Sequence, residues 1–285
     1  MRKVGYFFFA FVPLFIILGI QFLAVFFMYG AGALSQLLLG KNLFPSTSVI
    51  QRIIQTYLYG DFNVVVMILY ALFTIAIFGM WYYSSYGGEY LPSPKKTFHP
   101  LMILSIFIAV PGAQFLSNFI VAGIYVFKPE WIEQYEMLFE AGGMSDISIF
   151  MFIYAVLLAP ICEELIFRGV TLRCFDKALP FWRSNLYQAA LFGAFHMNWV
   201  QGLYAFVLGI ILGIVCECGG SIYYSMLMHF LFNLWGTVLA GLIPETDSAI
   251  FIVIVIAITV ISLVAGISLF FVGRNLRNKK VRLAS

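Results

Sequence analysis

Charge-free apolar runs without any period of two organise this chain: Tyr6 to Tyr29, Val64 to Tyr82, Pro100 to Phe127 and Ile250 to Val272. Crossing about 30 Å of hydrocarbon takes roughly 20 apolar residues in a helix, and each run is of that order. Shorter or interrupted runs fill the middle, from Ile147 to Phe167, Leu186 to Met197, Leu203 to Val215 and Ile222 to Ile243. Together they predict an all-α, polytopic membrane protein of about eight transmembrane helices. The alternation of an outer-membrane barrel is absent, and no period of about 20 to 50 residues marks a repeat array. The chain reads as one membrane domain over 1–285, with motif-free spans in 1–145, a chemically marked core in 146–243, and a last span with a basic tail in 244–285.

The stretch from Leu186 to Val215 is either one long helix or a hairpin broken around Asn198-Trp199-Val200-Gln201-Gly202. Basic residues decide, because short loops rich in Lys and Arg stay cytoplasmic. Arg2, Lys3, Lys95, Lys96, Arg173, Lys177, Arg183 and the tail from Arg274 to Arg282 fall on one side of an eight-span arrangement. Lys41, Arg52 and Lys128 fall on the other, with the acidic segments Glu130 to Asp146 and Glu245 to Asp247. A single span would send the basic tail outward, so the hairpin is expected, with both termini cytoplasmic. The first span exceeds the usual roughly 7 to 15 apolar residues of a signal-peptide core and reads as an uncleaved helix.

Two outer loops carry amphipathic faces, Val49, Ile50, Ile53, Ile54, Tyr57 and Leu58 in one and Trp131, Ile132, Tyr135, Leu138 and Phe139 in the other. Both are expected to lie flat at the interface. Glu133, Glu136 and Glu140 oppose the second as a solvated surface. Pro111-Gly112 should kink the third span. Composition agrees with the pattern: 62% of residues are hydrophobic and 10% charged, with a mean hydropathy of +0.98. Cys162, Cys174, Cys216 and Cys218 suggest neither a zinc knuckle, since Cys216 and Cys218 are too close in sequence, nor disulfides, given a position on or near the cytoplasmic side.

Against this background three polar constellations stand out: Glu163-Glu164-x-x-x-Arg168, Phe192-x-x-x-His196 and His229-x-x-x-Asn233. Ionisable groups at bilayer depth are costly unless paired or wetted, and so mark function by default. Glu163 lies ten residues before Arg173, His196 eleven after Asn185 and His229 nine after Gly220. Each therefore sits roughly 13 to 17 Å along its helix from the same side of the membrane. Glu164 and Arg168 share a helix face and can pair, whereas Glu163 points about 100° away, free to face a cavity. Glu163 with His196 could hold and deprotonate a water molecule. His229 and Asn233, four apart, could both donate to the oxygen that gains charge when water adds to an amide. Phe192 reads as packing, and His99, before Pro100, as an interfacial residue.

The segments Ala159-Pro160-Ile161-Cys162-Glu163-Glu164-Leu165-Ile166-Phe167-Arg168-Gly169, Ala189-Ala190-Leu191-Phe192-Gly193-Ala194-Phe195-His196, and Leu208-Gly209 through Ser221 to His229 and Asn233 resemble one family. It is the CAAX prenyl endopeptidase type 2 and bacteriocin-immunity group of intramembrane proteases, the CPBP or Abi proteins. The resemblance covers roughly residues 150 to 240. It implies an eight-helix fold in which Glu163 and His196 activate water, His229 and Asn233 stabilise the oxyanion, and Glu164 and Arg168 support the site. It also implies a substrate that is the C-terminal peptide of a lipidated or membrane-associated protein, or a bacteriocin-like peptide.

Three catalytic zinc ligands could come from Glu163, His196 and His229, but no His-Glu-x-x-His helix is present. A metal-free glutamate mechanism is the preferred reading and zinc its alternative. A transporter would also need intramembrane Glu, His and Arg, yet the first half holds no second Glu-Glu motif or matching interrupted segment. A non-catalytic immunity or scaffold protein is the remaining alternative. Membrane lipid and a peptide or lipidated protein are the expected partners, with no nucleic acid, and a bacterial plasma membrane is the expected location.

Overall fold

The computed structural model describes residues 2–38, 61–90, 97–141, 148–239 and 248–284. Among them every regular element is helical: α1 (Lys3–Phe9), α2 (Val12–Leu38), α3 (Asp61–Tyr90), α4 (Pro100–Phe127), α5 (Pro129–Ala141), α6 (Ile149–Asp176), α7 (Phe181–Phe195), α8 (Trp199–Gly219), α9 (Ile222–Leu234) and α10 (Ala249–Ala284). The amphipathic segment around Val49 to Leu58 lies outside the described residues, as do Lys41, Arg52, Lys95, Lys96, Glu245 and Asp247.

Six of the described helices are long and apolar enough to cross a membrane: Lys3–Phe27, Val64–Gly87, Pro100–Phe127, Ile149–Asp176, Trp199–Gly219 and Ala249–Lys279. This is a helical, multi-pass membrane protein. Of the other two expected spans, α7 has 15 residues, a rise of roughly 23 Å against the about 30 Å of a bilayer core, whereas α9 continues past Leu234 through a wider π turn over Trp235–Leu239 to the edge of the described residues. Helix α7 thus ends at the polar residue that it carries, His196.

Helix α7 stops where Met197 takes a positive φ of 56°. Asn198 then caps α8, its Oδ1 accepting from Gln201 N at 2.7 Å. The hairpin is present, but its break falls at 196–198, ahead of the expected 198–202, because the Asn198 cap makes Trp199 to Gly202 the first turn of α8. The two helices approach closely: a Cβ on Gly193 would stand 2.6 Å from Gly202 O.

Helix α4 runs through Pro111, and Ser262 of α10 inserts into its ladder. The Ser262 hydroxyl donates to Ile108 O and accepts from Gly112 N at 3.0 Å. Among the polar groups of α4, His99 caps the helix, Nδ1 accepting from Leu101 N at 3.3 Å, while its backbone N–H donates to Tyr224 Oη at 3.0 Å. His99 thus ties α4 to α9. The amphipathic α5 meets the α7–α8 turn, where Trp131 stacks on Trp199 with ring centroids 5.3 Å apart.

Two apolar clusters hold the bundle. One joins α3, α6 and α7 through Phe78, Tyr82, Ile166, Phe167 and Phe192. The other joins α4, α8, α9 and α10 through Met102, Leu212, Tyr224, Met228 and Phe270. The polar constellations lie where α6, α7 and α9 come together between them.

Candidate active site

Helix α6 departs from regular α geometry twice, with wider π turns at Ile153–Leu158 and Leu165–Thr171 on either side of the α segment that carries Glu163 and Glu164. Such turns are frequent at functional sites, because an extra residue per turn re-aims side chains and frees carbonyls. The first turn exposes Ala155 O, and Asn233 Nδ2 donates to it at 2.9 Å.

The two carboxylates have separate surroundings. Glu164 is 0% exposed and accepts from Arg168 Nη1 at 2.9 Å, the guanidinium being equally sealed. Glu163 keeps 13% side-chain exposure. This is the division that the four-residue spacing implies. Arg168 is further held by Gly209 O of α8, at 3.2 Å from Nη2, and by the ring of Phe192, whose centroid lies 4.5 Å from the guanidinium carbon.

His229, at 3% side-chain exposure, sits between the glutamates, with Nδ1 3.0 Å from Glu164 Oε1 and Nε2 3.6 Å from Glu163 Oε2. A carboxylate paired with a guanidinium is an acceptor, so Nδ1 carries the proton and donates to Glu164. His229 Nε2 therefore presents toward Glu163. The imidazole in contact with Glu163 is thus His229, whereas the sequence reading paired Glu163 with His196.

His196 is the residue that ends α7, not one buried within a helix run. Its Nδ1 meets Phe192 O at 2.8 Å. A carbonyl only accepts, which places the proton on Nδ1 and leaves Nε2 as the reactive nitrogen. Phe192 binds the set together, with its centroid 5.0 Å from the His196 ring and 5.8 Å from the His229 ring. Packing is an incomplete description of this side chain.

His229 and Asn233 each have one donor engaged elsewhere. One amide N–H of Asn233 is committed to Ala155 O, because the π turn offers that carbonyl, and His229 is turned toward the glutamates. Asn233 keeps its second amide hydrogen. Glu163, Glu164, Arg168, Phe192 and His229 are brought into one cluster, with His196 and Asn233 at its margins.

A group able to hold a metal ion requires several close ligands, and among the described residues no three His, Cys, Asp or Glu side chains form one. Glu163, His196 and His229, the alternative zinc ligands, are not among such groups in this geometry.

Sequence reasoning missed Gln188 and Asn185 of α7, which are 0% and 1% exposed and lie beside Gly209, the residue that holds Arg168. Their signal was polarity in an apolar helix at a three-residue spacing, and Asn185 served in that reading only to mark a helix end.

Comparison with known proteins bears on this same segment. Residues 145–235 match the family described as type II CAAX prenyl endopeptidase Rce1-like. It is the family that the three motifs resemble, and the matched segment contains every residue of the cluster. No curated protein and no solved structure matches the chain.

Proposed function

We propose that this chain, carrying a type II CAAX prenyl endopeptidase segment over residues 145–235, is an intramembrane endopeptidase in which Glu163 activates water. The observation that carries the reading is the contact between Glu163 Oε2 and His229 Nε2 at 3.6 Å, with His229 held from behind by the buried Glu164–Arg168 pair.

Glu163 accepts a proton from water as the water oxygen adds to the scissile carbonyl carbon, with His196 Nε2 orienting the same molecule. The carbonyl oxygen becomes an oxyanion, and the free amide hydrogen of Asn233 donates to it. His229 Nε2, facing protonated Glu163, receives a proton from it and becomes a second donor. As the C–N bond breaks, that proton passes to the leaving nitrogen, which releases an amine and a carboxylic acid, and transfer of the acid proton to the amine leaves carboxylate and ammonium and the site restored. Glu164 and Arg168 keep the imidazole in one tautomer throughout.

The substrate class is the C-terminal peptide of a lipidated or membrane-associated protein, presented with membrane lipid around it. A bacteriocin-related peptide is the second substrate class that the motifs support. The protein works in a bacterial plasma membrane with both termini cytoplasmic, as its basic loops favour. No nucleic acid takes part. The test is a census of new protein C-termini in cells that carry the chain or its Glu163→Gln form. Truncated membrane-protein C-termini seen only with the unmodified chain support the reading, and identical profiles refute it.

A further inference from the structure

Two amides lie buried on α7 where lipid-spanning helices are normally apolar. Burying them is unfavourable unless they are hydrogen-bonded. Gln188 Nε2 donates to Gly209 O at 2.9 Å and to Asn185 Oδ1 at 2.7 Å, and Asn185 Nδ2 donates to Ile210 O at 3.1 Å. Space for them exists because Gly213 lacks a side chain, since a Cβ there would stand 1.8 Å from Asn185 Oδ1 and 3.0 Å from Gln188 Nε2.

Gly209 O is the shared acceptor. It receives Gln188 Nε2 from α7 and Arg168 Nη2 from α6, the latter at 3.2 Å. With Nη2 committed there, Nη1 is left to hold Glu164 at 2.9 Å, and Glu164 in turn holds His229 Nδ1 at 3.0 Å. Gln188 and Phe192 are four apart on one face of α7. That face therefore fixes Arg168 twice, through the Gly209 carbonyl and through the ring over its guanidinium.

Stability alone gives no reason for this arrangement. Gln188 Oε1, Arg168 Nε and Glu164 Oε2 are buried without hydrogen-bond partners among the described residues, and buried ionic groups are often replaceable by apolar ones with no loss of stability. What the chain of bonds does supply is a rigid path from the α7–α8 hairpin to the imidazole beside Glu163.

We propose that Gln188, backed by Asn185, is a positioning residue of the active site, which sets the orientation of His229 through Gly209, Arg168 and Glu164. This rests on the reading of Glu163 and His229 as the hydrolytic pair.

The chain has three histidines, so imidazole nitrogen NMR of the full-length protein in phospholipid nanodiscs reads His229 directly. In Gln188→Met the His229 resonances should move away from those of the Nδ1-protonated, hydrogen-bonded ring, while those of His99 stay in place. Asn185→Ala should move them in the same direction by less, and decides the matter if Gln188→Met does not fold. With a quenched, farnesylated peptide ending in a CAAX sequence as probe, Gln188→Met should lower kcat on the order of tenfold to a hundredfold, as displaced catalytic groups do, with KM within about twofold. Unmoved His229 resonances in both variants overturn the proposal, as do resonances of all three histidines that move together, which mark a merely structural role. If the unmodified protein leaves the probe uncut while His229 responds to Gln188→Met, the positioning stands and the reading as a CAAX-type protease falls.

Discussion

His229 faces Glu163 across 3.6 Å, nitrogen to carboxylate oxygen, although 65 residues separate it from Glu164, the carboxylate bonded to its other nitrogen. An imidazole clasped between adjacent carboxylates of another helix is both oriented and supplied with a proton route. Removing it should therefore lower turnover more than binding. His229→Ala is expected to reduce kcat on the order of a hundredfold or more, with KM little changed. Steady-state cleavage by protein reconstituted in lipid checks this, and a loss confined to KM would assign His229 to substrate binding.

Arg168 and Glu164 are both 0% exposed. Truncating one partner strands the other charge in a medium that cannot solvate it, a loss of about 3 to 5 kcal/mol. Arg168→Ala should accumulate poorly and melt well below the unmodified protein. The double variant Glu164→Gln, Arg168→Met should recover much of the stability and none of the activity. Thermal melting in detergent checks the first expectation, and a normally stable Arg168→Ala would show the pair to be dispensable for folding.

Phe192 touches three polar partners at once, with the Arg168 guanidinium 4.5 Å from its ring. A desolvated cation–π contact contributes about 2 kcal/mol. Phe192→Leu keeps an apolar side chain but loses that attraction, so both melting temperature and kcat should fall. A variant that loses neither reduces Phe192 to filler.

Metal dependence gives a separate check. Protein stripped with a tight chelator in lipid should cleave as fast as untreated protein, since each proton and hydrogen bond in the scheme belongs to a side chain. Activity abolished by the chelator and restored by added zinc would replace the scheme with a metal one.

The sequence discloses the site unevenly, for physical reasons. A Glu, Arg or His in an apolar run is conspicuous because hydrocarbon tolerates it poorly, so Glu163, Glu164, Arg168, His196 and His229 could be named from the sequence, and the pairing of Glu164 with Arg168 follows from helix periodicity. Which histidine meets Glu163 does not follow, because it depends on helix rotation and on where α7 ends. Met197, with its positive φ, and the Asn198 cap stop α7 at His196, whereas hydropathy alone carries the helix past it. The π turns of α6 leave no signature in polarity, so the diversion of Asn233 to Ala155 O was invisible. Apolar length shows that a segment can be buried, but not where its helix stops, and α7 is shorter than a span because the turn at 196–198 ends it.

The most direct measurement is the rate at which purified protein in liposomes cleaves the farnesylated CAAX peptide, compared between the unmodified chain and Glu163→Gln. The substitution preserves size and leaves the Glu164–Arg168 pair intact, so the variant should fold and melt normally. Its kcat should fall on the order of 10² to 10⁴, the loss of a general base. A Glu163→Gln protein that turns over at the unmodified rate would contradict the account.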